Sequence, residues 1–387
     1  MRTVSGTFYK SFDVERNRRY WTFLPTELNL LNIRIDQDIT DLLIQAHRAL
    51  GILEGVIRYI PNVEHFLEMM ICGDAYYSCR IDNIAVHYRD ILIGNNNLAE
   101  AKSAINCCKA FHSLSDRFFI KNNLCDLQNS VMDGIGADGV GMIRNKGFLM
   151  RPNVIVNMQE YNPPSPENID ELLLDLLKYI AVDQSVDILV KTALMYYQFE
   201  TIHPFSSGNG RVGRLLPALL LMKKEILSKG CLFISEYLYK HNDVCSELFF
   251  GVQHFGNYTE WIKFFLQCVI DSSNQTIKRL NAAVEERDNM EKKLQHSAKF
   301  SGELSKICDF IERTPIFMIN DLVDAFHISY NTASNRVDMM VKMDIIKKEK
   351  EQYRNRIFTA QKYIDIFMDF NIDGKNKYND LDFICKD

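Results

Sequence analysis

The sequence has 387 residues, too many for one small core, and points to two or three packed units. Hydrophobic residues make up 47% and charged residues 25%, the balance of an ordinary folded protein, and no low-complexity tract signals disorder. A net charge of −5, from 45 basic and 50 acidic residues, argues against whole-protein attraction to nucleic acid or membrane but leaves room for a local basic patch.

The N-terminal residues Met1 to Phe8 lack the apolar core of a signal peptide, and the best apolar run, Leu215 to Met222, is far short of a membrane span. Ten scattered cysteines form no C-x-x-C pair, and the adjacent Cys107 and Cys108 suit neither a zinc knuckle nor an ordinary disulfide. Reduced thiols and a cytoplasmic location are the expectation.

Helical periodicity dominates the chain. Ile39 to Leu53, Ile169 to Ile180 and Ile188 to Phe199 carry apolar residues at three- and four-residue spacing. Pro61-Asn62 and Gly94 to Asn97 are turn signals. Gly134 to Asn157 holds five glycines with β-favouring residues between them and reads as a loop and short hairpin. Asn162 to Glu167 is a stiff connector whose Ser165-Pro166-Glu167 can start the next helix. From Asn274 to Leu304 the chain is strongly charged, yet Ile277, Leu280, Val284, Met290 and Leu294 recur, as in an exposed connecting helix. Too few heptads fit for a coiled coil. Beyond it come helix (Leu304 to Ile311), helix (Ile319 to Phe326), turn (His327 to Ser329), helix (Tyr330 to Met343) and an alternating hairpin (Ile345 to Phe358), the order of a winged helix-turn-helix.

The chemistry is concentrated between Tyr197 and Arg214. An apolar helix ends near Glu200, a Gly-rich turn follows, and Arg211 to Leu221 is helical again. Gly208, Asn209 and Gly210 therefore sit at a helix N-terminus, where unpaired N–H groups and the helix dipole favour an anion. Glycine allows close approach of the backbone to phosphate oxygens. Arg211 and Arg214 are three residues apart, so both guanidinium groups reach the same side of a polyphosphate. His203, just before the loop, has the titration range of a general base. Taken singly, a histidine before a Pro-Phe turn or a Gly-Asn-Gly is an ordinary turn feature. Their order within twelve residues is the signature of phosphoryl or nucleotidyl transfer.

The segment His203-Pro-Phe-Ser-Ser-Gly-Asn-Gly-Arg-Val-Gly-Arg214 resembles the Fic signature His-x-Phe-x-(Asp/Glu)-Gly-Asn-Gly-Arg-x-x-Arg at every position but one. The resemblance extends to Leu194–Ile202, to Ala49–Gly55 with Ile60-Pro61-Asn62, to Gly141-Met142-Ile143-Arg144, similar to the start of a target-docking flap, and to Pro163-Pro164. It covers roughly residues 20 to 360. It implies a mainly α fold: a Fic helical core with a short β-hairpin flap, plus a C-terminal winged helix-turn-helix, as in larger bacterial Fic proteins. The units implied are residues 1–110 (N-terminal helical region with inhibitory helix), 111–272 (catalytic core), 273–303 (connecting helix) and 304–387 (winged-helix-like domain and tail).

By the same resemblance the chain is a protein adenylyltransferase that moves AMP from ATP to a Ser, Thr or Tyr hydroxyl of a target protein or of itself. His203 is the base. Phe205, Gly208, Asn209, Gly210, Arg211 and Arg214 hold the nucleotide phosphates, with Mg²⁺ or Mn²⁺ as the accompanying cation.

Three departures stand out. Ser207 replaces the family's metal-holding carboxylate, and a neutral, shorter hydroxyl predicts weak or water-mediated metal binding and reduced activity. Ser78-Cys-Arg-Ile-Asp82-Asn83 resembles the inhibitory motif (Ser/Thr)-x-x-x-Glu-(Gly/Asn), with Asp82 one methylene shorter than the glutamate that pairs with the second arginine, here Arg214. Cys245-Ser246 stand where relatives carry a tyrosine pair beside the base.

Residues 301 to 360 hold nine Lys or Arg and nine Asp or Glu, so DNA binding ranks below a packing or protein-interaction role, despite basic residues clustered from Lys347 to Arg356. Two rival functions remain open: another Fic activity (removal of AMP, or transfer of UMP, phosphate or phosphocholine), or a weakly active nucleotide-sensing DNA-binding regulator. The sequence leaves room for an oligomer. A P-loop kinase lacks its Gly-Lys-Ser/Thr ending, a zinc hydrolase its paired histidines, and a serine hydrolase its Gly-x-Ser-x-Gly elbow.

Overall fold

The computed structural model describes residues 4–368 apart from 14–16, 61, 115–118, 137, 148–161, 183–185, 297–299, 301 and 350–355. The chain opens with an antiparallel hairpin, β1 (Gly6–Asp13) and β2 (Arg18–Pro25), which the sequence reading did not anticipate. Helices α1 (Gln37–Tyr59), α2 (Val63–Ile81), α3 (Tyr88–Leu92), α4 (Ala99–His112) and α5 (Lys121–Met132) follow. Then come α6 (Pro166–Ala181), α7 (Ile188–Ile202), α8 (Asn209–Lys223), α9 (Ser235–Lys240), α10 (Asn242–Phe255) and α11 (Tyr258–Gln295).

The central helix is α7. All of its residues from Leu189 to Ile202 except Glu200 are buried, so it is enclosed around its whole circumference rather than along one stripe. Asp187 caps it, accepting from the Leu189 N–H at 2.8 Å, and its other oxygen lies 2.8 Å from His47 Nε2 on α1. Trp261 of α11 donates its indole N–H to the Ala193 carbonyl at 2.8 Å, satisfying the one polar atom of a fully buried ring. Helices α6, α8 and α11 pack against α7, and α8 is nearly as buried, so the loop between α7 and α8 rests on a rigid base.

The charged segment read as an exposed connector is the second half of α11. The helix begins at Tyr258, sixteen residues before Asn274, and buries Leu280, Ala283, Met290 and Leu294. Charge on the outer face masked that inner stripe.

After α11 come α12 (Leu304–Arg313), β3 (Ile316–Met318), α13 (Ile319–Phe326), α14 (Tyr330–Lys342), β4 (Lys347–Lys348), β5 (Ile357–Thr359) and α15 (Gln361–Phe367). The three strands form an antiparallel sheet in the order β3-β5-β4. This unit sits on α2: the rings of Phe66 and Phe367 are 5.5 Å apart, and Asn62 donates to Asp309 at 3.1 Å. Arg89 at α3 pairs with Glu349, and Arg287 of α11 pairs with Asp309 at 2.8 Å and Glu312 at 2.6 Å.

No helix among the described residues is long and apolar enough to cross a membrane. The nine cysteines among them that carry a described state are free thiols.

Candidate active site

The α7–α8 turn is built by the signature residues themselves. His203 ends α7 in the left-handed region (φ 50°), its N–H bonded to the Phe199 carbonyl at 3.0 Å. Gly208 starts α8, also left-handed (φ 77°), and a Cβ there would meet Met132 Sδ at 2.8 Å. Between them the Asn209 side chain folds back on Phe205, accepting from its N–H at 2.8 Å and donating to its carbonyl at 2.7 Å. The fully buried Phe205 ring anchors the loop from below. Asn209 thus shapes the turn with its side chain, and the first-turn N–H groups of α8 are donors of the kind that can hold an anion.

Asp82 and Ser78 come to this site from α2. Arg214 Nη2 donates to Asp82 Oδ1 at 2.8 Å and to the Ser78 carbonyl at 2.8 Å, and its Nε donates to Ser78 Oγ at 2.8 Å. Arg211 Nε donates to Asp82 Oδ2 at 3.1 Å. The carboxylate therefore bridges both arginines, and its shorter side chain reaches them without difficulty. A Cβ on Gly210 would lie 2.7 Å from Arg214 Nη1 and 3.1 Å from Asp82 Oδ1, so a side chain there would have to displace the clamp.

Asn83 makes the clamp through the backbone. It is left-handed (φ 60°), its N–H bonds to the Arg80 carbonyl and the Ile84 N–H to the Cys79 carbonyl, both at 3.0 Å. This Schellman arrangement stops α2 at Asp82 and aims the carboxylate at α8.

The His203 imidazole lies in a low-dielectric setting. Burial, then the Arg144 guanidinium, push His203 down to about 4, with Asp82 opposing. The ring is neutral at physiological pH, the state that accepts a proton.

Ser207 presents a neutral oxygen, and its Oγ faces the Met132 thioether at 3.9 Å. Among the described residues no cluster of three or more His, Cys, Asp or Glu side chains surrounds it. A hard divalent cation needs charged oxygens, so these residues do not fit a resident Mg²⁺ or Mn²⁺.

The flap segment divides. Met142 is 65% exposed. The Gly141 N–H donates to Gln128 Oε1 at 2.5 Å, and Ile143 forms a β-bridge with Phe205. Arg144 differs from a docking residue: its side chain is 4% exposed and turns inward onto backbone carbonyls. The remainder of the expected hairpin, from residue 148, lies outside the described residues.

Three site residues escaped the sequence reading. Gln128 is buried on α5 and ties the flap to the loop, donating to the Ser207 carbonyl at 3.0 Å. Met132 lies 3.1 Å from Arg211 Nη2. Glu200 sits beneath the arginines, and burial, partly offset by Arg214, raises its carboxyl to about 7. Only Glu200 left a trace in the sequence, as a lone acid inside an apolar helix. Cys245 on α10 is near enough to Glu200 and Arg214 to feel both charges.

Comparison with known proteins agrees with this geometry. The Fic/DOC family pattern matches residues 118–221, and the Fic/DOC family N-terminal pattern matches residues 40–111. The chain therefore carries a Fic/DOC domain preceded by the region that precedes it in that family. It is similar to a probable protein adenylyltransferase of Aquifex aeolicus, 29% identical over 83 residues, which are 21% of this chain and 26% of that protein. It is also similar to the protein adenylyltransferase fic-1 of Caenorhabditis elegans, 33% identical over 70 residues, 18% of this chain and 14% of that one. The chain thus spans about a quarter or less of the length of these relatives. The crystal structure of a Fic family protein from Desulfovibrio desulfuricans superposes with a TM-score of 0.56 at 17% identity, covering 85% of this chain and 97% of that one. That likeness establishes a Fic fold over most of the length.

Proposed function

We propose that this chain is a protein adenylyltransferase held in check by its own Asp82. The observation that carries the reading is the convergence of a neutral His203, the N-terminus of α8, and Arg211 with Arg214 on one face of one turn, closed by the Asp82 carboxylate. ATP is the substrate, and a Ser, Thr or Tyr hydroxyl of a protein, this one included, is the acceptor.

In the transfer, His203 takes the hydroxyl proton and the hydroxyl oxygen forms a bond to the α-phosphorus. The bond from that phosphorus to the bridging oxygen breaks, and pyrophosphate leaves toward Arg211 and Arg214. The first-turn N–H groups of α8 stabilise charge on the α-phosphate oxygens. Both arginines are engaged by Asp82, so productive binding of the β- and γ-phosphates first displaces that carboxylate. Gly141 to Ile143 begin the surface that presents the target.

The four units expected from the sequence remain part of this reading, with residues 304–387 as a winged-helix-like domain that serves packing or protein contacts more than DNA, and with a cytoplasmic setting. The order of α12 through β5 supports the winged-helix assignment.

Incubation of the full chain with labelled ATP and Mg²⁺ or Mn²⁺, followed by mass analysis, is the test. Asp82→Ala is expected to add AMP to protein and Asp82→Ala/His203→Ala to add none. Absence of any AMP adduct in Asp82→Ala sinks the proposal. One observation favours a second reading: the Ser207 hydroxyl turned to Met132 suits a weakly active nucleotide sensor, which would bind ATP in Asp82→Ala without turnover.

A further inference from the structure

Helix α7 ends in a problem that the sequence of its own turn does not solve. The last carbonyls of a helix have no partner within it, and here that end carries the catalytic histidine in a left-handed conformation. Arg144, fifty-nine residues away, supplies the donors. Its Nε donates to the His203 carbonyl at 2.7 Å, and its Nη2 reaches the Ile202 carbonyl at 3.5 Å and the Pro164 carbonyl at 2.5 Å. Its Nη1 donates to the Lys146 carbonyl at 3.0 Å. The Arg144 backbone N–H adds a bond to the Pro204 carbonyl at 2.9 Å, beside the Ile143–Phe205 bridge.

We propose that Arg144 is the positioning residue for His203, fastening the catalytic turn, the start of the flap and the Pro164 connector into one body. The planar guanidinium with its fixed fork of donors can serve four carbonyls at once, which three ammonium protons on a flexible stem cannot. A cation at a helix C-terminus is also favoured by the helix dipole.

The same charge acts on the imidazole. Burial contributes most to keeping His203 neutral and Arg144 comes second. The opposing groups are Asp82 at the end of α2 and the Glu200 carbonyl on α7 itself. Arg211 and Arg214 of α8 are bound to Asp82. Arg144 thus holds the base both in place and unprotonated.

This inference rests on the adenylyltransferase reading for its rate consequence but not for its titration consequence, and the experiment separates them. The full chain carrying Asp82→Ala, with labelled histidine rings, is titrated by NMR with Arg144 intact, as Arg144→Gln and as Arg144→Lys; His203→Ala assigns the signal. AMP transfer is followed across pH on the same samples.

In Arg144→Gln the His203 ring is expected to titrate at higher pH, and the acid limb of the transfer rate to move up with it. The same variant should lose about 10- to 100-fold in kcat, with KM for ATP changed by less than about threefold. Arg144→Lys keeps the charge and loses the fork, so it should leave the titration in place and still lower kcat. If Arg144→Gln does not fold, Arg144→Lys alone decides, and a wild-type kcat there overturns the proposal. A lower melting temperature with an unmoved His203 titration would reduce Arg144 to a core contact and also overturn it. A moved titration without AMP transfer in any sample would uphold Arg144's hold on His203 while the adenylyltransferase reading fell.

Discussion

Asp82 Oδ1 lies 2.8 Å from Arg214 Nη2, and the other oxygen of the same carboxylate lies 3.1 Å from Arg211 Nε. One acid thus occupies both cations that the signature provides. The arginines are 4–5% exposed, so water does little to screen the pair. Replacing Asp82 with Ala leaves two adjacent guanidinium groups without their counter-charge, which costs about 1–3 kcal/mol of stability. It also removes the competitor for the nucleotide phosphates. Labelling in Asp82→Ala should rise about 5- to 150-fold while the melting temperature without ATP falls. Unchanged labelling, measured by labelled ATP, removes Asp82 from the regulatory role.

The clamp also depends on where α2 stops. Asn83 is left-handed, a conformation costing a branched side chain about 1–2 kcal/mol. Asn83→Val should lower the melting temperature and raise labelling, because the Asp82 carboxylate is no longer aimed. Asn83→Gly should preserve both. Equal behaviour of the two variants in melting and labelling would show that the cap does not hold the clamp.

Ser207 leaves the phosphates without a metal-holding carboxylate. Ser207→Asp, made in the Asp82→Ala background, should increase AMP transfer and make it more sensitive to added chelator. The measurement is initial rate against Mg²⁺ concentration. No gain at any concentration shows that the serine is not what limits the reaction.

His203 and Glu200 give opposite pH dependences. His203 ordinarily titrates at 6.5 and is held at about 4 in the fold, so the unfolded chain binds more protons between those values. Its contribution is complete above pH 6.5 and is lost as pH falls toward 4. Glu200 ordinarily titrates at 4.5 and is raised to about 7 by burial, so the folded chain binds more protons there. Its contribution is present below pH 4.5 and is lost as pH rises through 7. Glu200→Gln deletes the second slope. Relative to the unsubstituted chain it should gain stability steadily from pH 4.5 to 7 in urea melts, and parallel curves would refute the assignment.

The sequence by itself determined the signature turn between α7 and α8, because that turn is local. A loop followed by a helix N-terminus, with a base before it and two arginines one turn apart, is written within twelve consecutive residues. It also determined the family and marked Asp82 as the partner of Arg214 through a spaced motif. The N-terminal hairpin escaped because aromatic residues lie on both of its faces, Phe8, Phe12, Trp21 and Phe23 on one and Tyr9 and Tyr20 on the other, so no period of two emerges.

Only the tertiary structure decided which groups complete the site. Arg144 reads as a surface cation of a flap, yet it is buried under the catalytic turn because the α7 carbonyls there need donors. Gln128 and Met132 reach the loop from α5. Asp82 takes both arginines instead of one because α2 and α8 pack face to face at their ends. Such pairings follow from how separate helices meet, and no spacing along the chain encodes that meeting.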